Sequence, residues 1–179
     1  MRATRLFAAV LTGVLTILAG TGAGLARTPG DGRYGFQNYK SGLFIQPPGD
    51  TTASYARLVQ DVIVRSGGDL KSSQNWREQR LVSGNYHLLA GNSSLRMGID
   101  FASTAAGASA IQAPAGLGAL NQQWIILRSL NLPADIYEIR NVNSGKCLGI
   151  DRASTSVGAA VMQFTCDGSV NQGWRKVDL

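Results

Sequence analysis

The chain offers few side chains able to do covalent chemistry. It has one histidine, His87, two cysteines, Cys147 and Cys166, and two glutamates, Glu78 and Glu138. A hydrolytic triad would have to run through His87, which sits beside Tyr86 with no G-x-S-x-G nucleophile motif near it. A strand histidine facing solvent or a neighbour accounts for it as well. A glycosidase needs two carboxylates set across a bond, and nothing marks out one pair among the aspartates. No phosphate-cradling loop, dinucleotide fingerprint or zinc signature occurs, and two thiols alone do not make a zinc site. No catalytic residue, cofactor or metal is therefore expected, and the chain is not read as an enzyme. What remains is the non-covalent chemistry of its carboxylates, amides and aromatic rings.

Those groups recur. Residues 98–109 read GIDFASTAAGAS and residues 149–160 read GIDRASTSVGAA, identical at eight of twelve positions with an offset of 51. Self-similarity at a fixed period signals a repeat architecture. The three tryptophans, Trp76, Trp124 and Trp174, lie 48 and 50 residues apart, and each closes a tetrad: SQNW, NQQW, NQGW. Upstream, YGFQNYKSG (34–42), YHLLAGNSS (86–94) and YEIRNVNSG (137–145) align, and Gln60, Gln112 and Gln163 become equivalent. Repeats of about 34–81, 86–128 and 137–178 follow, with extra residues, VRSGGDLKS (64–72), in the first. Short apolar stretches bounded by Asn-Ser-Gly and Asp-Gly-Ser indicate many short strands joined by hairpins. No long amphipathic helical pattern follows the N-terminal segment. The fold class expected is all-β.

The chain opens with Arg2 and Arg5, an apolar run from Leu6 to Leu18, and small residues up to Gly24-Leu25-Ala26. This is the layout of a secretory signal peptide over residues 1–26. The apolar run is shorter than the about 20 residues a membrane helix needs. A flexible segment, 27–33, and one domain, 34–179, would follow, in a secreted, extracellular product without a membrane span. The formal net charge of +6 includes the two N-terminal arginines, and the remaining basic residues are scattered. No basic run interleaves with aromatics, so nucleic acid is not an expected partner.

Three Q-x-W tetrads in register, with a C-L-x-I strand (Cys147 to Ile150) before the last, resemble the ricin-B-type lectin domain over about residues 34–178. The resemblance implies a β-trefoil with pseudo-threefold symmetry: three four-stranded units, six strands forming a barrel and six capping it. It implies that Trp76, Trp124 and Trp174 are structural, packing into a shared core. It also implies a Cys147–Cys166 bridge, which an even cysteine count in a secreted chain favours independently.

The same resemblance implies a sugar site in each repeat: an Asp after Cys-Leu, an aromatic near the next Cys, and an Asn beside the tetrad Gln. Here the Asp position holds Gln46, Gly98 and Gly149, the aromatic position Asp61, Ala113 and Phe164, and the Asn position Ser73, Asn121 and Asn171. Asp151 lies two residues after Gly149, and strand side chains two apart share a face. Asp151, Phe164, Asn171 and Gln172 thus form an altered carbohydrate site in the third repeat. The second repeat has Asp100, Asn121 and Gln122 without a ring, and the first lacks both ring and Asn. For each residue a structural role stands beside this one: Asp100 and Asp151 capping turns, Phe164 as core, the asparagines shaping the tetrad loop. The functional expectation is a non-catalytic carbohydrate-binding module for a galactose-like sugar or polysaccharide, weak and centred on the third repeat. The alternative is a protein-binding trefoil, such as a secreted hydrolase inhibitor, using the long first-repeat loop. Sequence leaves the oligomeric state unknown.

Overall fold

A computed structural model describes residues 32–178. The signal-peptide expectation, residues 1–26, and most of the segment after it lie outside the described residues. The first repeat contributes β1 (Arg33–Asn38), β2 (Phe44–Gln46), β3 (Val59–Asp61), β4 (Arg65–Ser66), β5 (Asp69–Leu70) and β6 (Trp76–Arg80). The second contributes β7 (Tyr86–Ala90), β8 (Arg96–Ile99), β9 (Ala110–Ala113) and β10 (Trp124–Arg128). The third contributes β11 (Ile136–Asn141), β12 (Cys147–Ile150), β13 (Val161–Phe164) and β14 (Trp174–Asp178). The extra residues of the first repeat form the small hairpin β4–β5.

Within each repeat the first strand pairs with the last, and the pairing brings each tryptophan opposite a tyrosine: Tyr34 with Trp76, Tyr86 with Trp124, Tyr137 with Trp174. Between repeats, β6 pairs with β7, β10 with β11, and β14 with β1. These six strands close on one another, so the barrel has no free edge. The hairpins β2–β3, β8–β9 and β12–β13 cap it. This is the β-trefoil that the resemblance implied.

The tryptophans explain why the motif is needed three times. All three are fully buried. Each indole N–H donates to the same carbonyl of its own capping strand: Trp76 to Ile45 at 3.1 Å, Trp124 to Met97 at 3.0 Å, Trp174 to Leu148 at 2.9 Å. A buried indole N–H left unpaired would be costly, so the ring both fills the core and fixes barrel to cap. Phe36, Ile45, Leu88, Ile99, Ile139 and Val161 pack around them.

The equivalent glutamines join one repeat to the next. Gln112 donates to the carbonyls of Thr51 and Ala53, both at 2.9 Å, and accepts from Ser93 Oγ at 3.1 Å. Gln163 holds Ser103 and Ala105 in the same way, and Gln60 holds Ser154 and Ser156. The repeated phrase GIDxAST is thus the loop that crosses to a neighbour and is clamped there by a buried amide. All three glutamines are fully buried, and bonds to three neighbours nearly exhaust an amide's capacity.

Cys147 and Cys166 form a disulfide within the third repeat, with Cα atoms 5.0 Å apart. No helix among the described residues is long and apolar enough to cross a membrane.

Candidate functional site

Each capping hairpin leaves its first strand through a 3-10 turn: Pro48–Asp50, Asp100–Ala102 and Asp151–Ala153. The middle residue of each is left-handed, with φ of 56° at Gly49, 51° at Phe101 and 50° at Arg152. For residues with a Cβ this conformation costs about 1–2 kcal/mol. In exchange it throws the Phe101 ring outward, where it is 94% exposed. The carboxylates of Asp100 and Asp151 make no hydrogen bond to their own turns; each lies near an arginine instead, Arg57 at 3.8 Å and Arg152 at 4.0 Å. Neither therefore caps its turn.

In the second repeat a cleft of about 700 Å³ opens over this turn. Asp100, Asn121 and Gln122 all line it, as do Tyr55, Arg57 and Phe101. Asn121 is held by its amide N–H bond to the Ile99 carbonyl at 2.9 Å. Tyr55 belongs to the first repeat. Its backbone N–H donates to the Gln112 carbonyl at 2.7 Å, a bond that Gly107 repeats with Gln163 and Gly158 with Gln60. The three positions are equivalent and all left-handed, but only the first carries a side chain, with φ of 67°. The sequence assigns the second repeat no ring; the structure brings two to the cleft, Phe101 from its own turn and Tyr55 from the preceding repeat. The signal was present in the alignment as a tyrosine at a position where the other two copies have glycine. Arg57 pairs with Asp100 across a surface contact of the kind worth 0–1 kcal/mol, so its guanidinium is available to a ligand.

In the third repeat Phe164 and Asp151 sit on the outer face of the β12–β13 hairpin, both partly buried. Phe164 lies over Gly149: a Cβ there would meet the Phe164 ring at 3.3 Å and Gln172 Cγ at 3.1 Å. Gly98 has the same relation to Gln122 Cγ, at 3.0 Å. A side chain at either glycine would press on the tetrad loop. Asn171 accepts from Ser169 Oγ at 2.8 Å.

The first repeat is closed by its own side chains. Gln46 donates to Asp61 at 2.8 Å and accepts from Gln74 at 3.0 Å. Asp50 accepts from Ser73 Oγ at 2.6 Å and forms an ion pair with Lys71. The Lys71 and Ser73 bonds hold the Asp50 carboxyl below its ordinary pKa.

The tetrad glutamines are tied into their loops. Gln122 donates to Pro114 at 2.8 Å and accepts from the Gly116 N–H at 2.9 Å. Gln172 does the same with Thr165 and Asp167, at 2.9 and 3.2 Å. They shape the floor beside each site. His87 lies elsewhere, 7% exposed, and burial, then the charge of Arg96, holds its imidazole below the ordinary value.

A family profile described as "Ricin-type beta-trefoil lectin domain-like" matches residues 120–179. No curated protein matches. Among solved structures, a designed threefold-symmetric protein, ThreeFoil, is 36% identical with a TM-score of 0.74, over 83% of this chain and all of that one. An exo-β-1,3-galactanase from Clostridium thermocellum is similar at 24% identity and a TM-score of 0.74, over 86% of this chain but only 31% of that enzyme. The Macrolepiota procera ricin B-like lectin, solved with lactose, is 17% identical with a TM-score of 0.69, over 86% of this chain and 99% of that one. The fold and the matched profile define a lectin-like β-trefoil. The chain belongs to the ricin-B-type lectin family.

Proposed function

We propose that this chain is a secreted, non-catalytic carbohydrate-binding module whose principal site is the second-repeat cleft. The observation that carries this is the meeting there of Asp100 and Asn121 with the rings of Tyr55 and Phe101. An aromatic face packs on the apolar C–H face of a sugar ring, and a carboxylate and an amide then take its hydroxyls. Each hydroxyl that finds no partner leaves a desolvated group unpaired, which is how such a site selects. The third repeat is a second site of the same kind, with Phe164 as platform and Asp151 and Asn171 as polar partners. Gln122 in the second repeat and Gln172 in the third act by holding their tetrad loops in place. The lactose bound to the Macrolepiota procera lectin and the GalNAc bound to an earthworm R-type lectin support galactose-like ligands. Secretion rests on the N-terminal pattern and agrees with a disulfide, which persists outside the cytoplasm.

The test is a screen of the protein against immobilised glycans and insoluble polysaccharides, with Tyr55→Ala and Phe164→Ala alongside. Binding lost in Tyr55→Ala and kept in Phe164→Ala places the principal site in the second repeat. The reverse places it in the third. Silence across the panel from a folded protein sinks the sugar reading.

One observation favours the alternative of a protein partner. Val62 and Ile63, just before the long first-repeat loop, and Val64, its first residue, are 50%, 47% and 38% exposed. Capture of a hydrolase that sugars do not compete, and that Ile63→Asp abolishes, would select it.

A further inference from the structure

The three repeats leave a second set of equivalent positions on the flank of the barrel, away from the turns described above. In the third repeat this flank holds Glu138 and the Cys147–Cys166 bridge. In the first it holds Gly35, over which Phe44 and Leu70 close so tightly that a Cβ would meet them at 2.9 and 2.5 Å. In the second repeat the corresponding residues are His87, Arg96 and Ala115, and here the flank is open. A cleft of about 370 Å³ lies there, lined by His87, Arg96, Leu81, Ala115, Leu117 and Gln123, among others.

Its polar groups are only partly used. His87 is more than nine-tenths buried, yet its Nδ1 has no hydrogen-bond partner. A buried polar atom without a partner is uncommon and calls for an explanation, such as a bound group. Arg96 reaches only the Gly116 carbonyl, through Nη1 at a long 3.4 Å. No acidic residue lines the cleft. Leu81, Ala115 and Leu117 give it an apolar wall, and Leu117 is wholly exposed.

We infer that this cleft binds a carboxylate carrying a short apolar body. The Arg96 guanidinium matches a carboxylate with its fork of donors. His87 lines the cleft beside it, and the aliphatic part lies along Leu81 and Leu117. The site is separate from the sugar cleft and does not depend on the sugar reading. A fatty acid fragment and a peptide C-terminus share this chemistry.

His87 is the only histidine, so its ring gives a single resonance pair that reports on the cleft. The experiment titrates the full chain with hexanoate, N-acetyl-leucine, glucuronate and, at matched ionic strength, sodium chloride, following the His87 ring protons by NMR. The expected result is a saturable shift with hexanoate or N-acetyl-leucine. Which of the two binds tighter tells a fatty acid from a peptide end. Arg96→Gln should weaken that binding by about tenfold or more, since a charged hydrogen bond is lost. Leu117→Ala, at an exposed position that folding does not need, should weaken it less. Equal affinity for glucuronate overturns the apolar half of the inference. No shift, a drift that chloride reproduces, or unchanged affinity in Arg96→Gln overturns the site.

Discussion

In the first repeat, Asp50 is bonded to Ser73 and paired with Lys71, and Gln46 spans from Asp61 to Gln74. In the second repeat the same stretch of backbone carries Gly98 where Gln46 stands, Ala113 for Asp61 and Asn121 for Ser73, and a cleft of about 700 Å³ opens. The strands, the clamp glutamine and the buried tryptophan are alike in both. The difference lies in a handful of side chains on a shared scaffold. A polar network that satisfies itself needs no ligand, whereas an Asp and an Asn beside two exposed rings present groups that a sugar can satisfy. One scaffold can therefore carry an open site and a closed one side by side.

Several substitutions would break or sharpen that contrast. The largest effect on stability should come from the third repeat, which is neither closed by such a network nor as open as the second. Removing its bridge with Cys147→Ser and Cys166→Ser should cost on the order of 3 kcal/mol by the chain-entropy account. Denaturant unfolding would read this, and second-repeat binding measured on the folded fraction should stay unchanged.

Next is the clamp beneath the open site. Gln112→Ala strands the Ala53 carbonyl and the Ser93 hydroxyl proton and leaves the Thr51 carbonyl only a long bond from Asn92, at a cost of about 2 kcal/mol or more. It should also loosen the loop that carries Tyr55, so sugar affinity should fall along with the melting temperature. Gln60→Ala should cost as much stability and leave that affinity intact. Equal loss of binding in both variants would mean the contrast between repeats is wrong.

Tyr55→Gly separates the two properties. It removes the ring and relaxes a left-handed residue, and the neighbouring copies show that glycine fits there. Affinity should drop about tenfold, the scale of one aromatic contact. Stability should rise by up to about 1 kcal/mol, once the relief of strain is set against glycine's greater freedom in the unfolded chain. Calorimetry for binding and thermal unfolding for stability would test both halves.

The smallest effect belongs to the closed site. The bonds from Lys71, then Ser73, lower the Asp50 pKa in the folded state. That contribution is full above the ordinary carboxylate pKa and is lost as pH falls through the lowered folded value. Asp50→Asn should flatten this part of the acid unfolding curve without touching second-repeat binding.

The sequence by itself determined the threefold plan. Trp76, Trp124 and Trp174, the clamp glutamines and the period near 50 residues were legible because every copy needs the same core contacts. The cysteine pair was legible for a similar reason: an even count within one repeat. The sequence picked out Asp100, Asn121, Asp151 and Phe164, and the structure places the first two on the second-repeat cleft. Tyr55 was not, because the loop that carries it crosses to a repeat other than its own and is bonded there to Gln112. The closure of the first site was not, because Lys71 comes from the inserted loop and reaches Asp50 only once β5 and the turn before Trp76 are folded. The flank cleft at His87 and Arg96 was not, because it is defined by what fills the same space in the other two copies. Contacts within a repeat recur at fixed spacing and can be read along the chain. Contacts between repeats depend on closure of the barrel, and only the tertiary structure decides which side chains then meet.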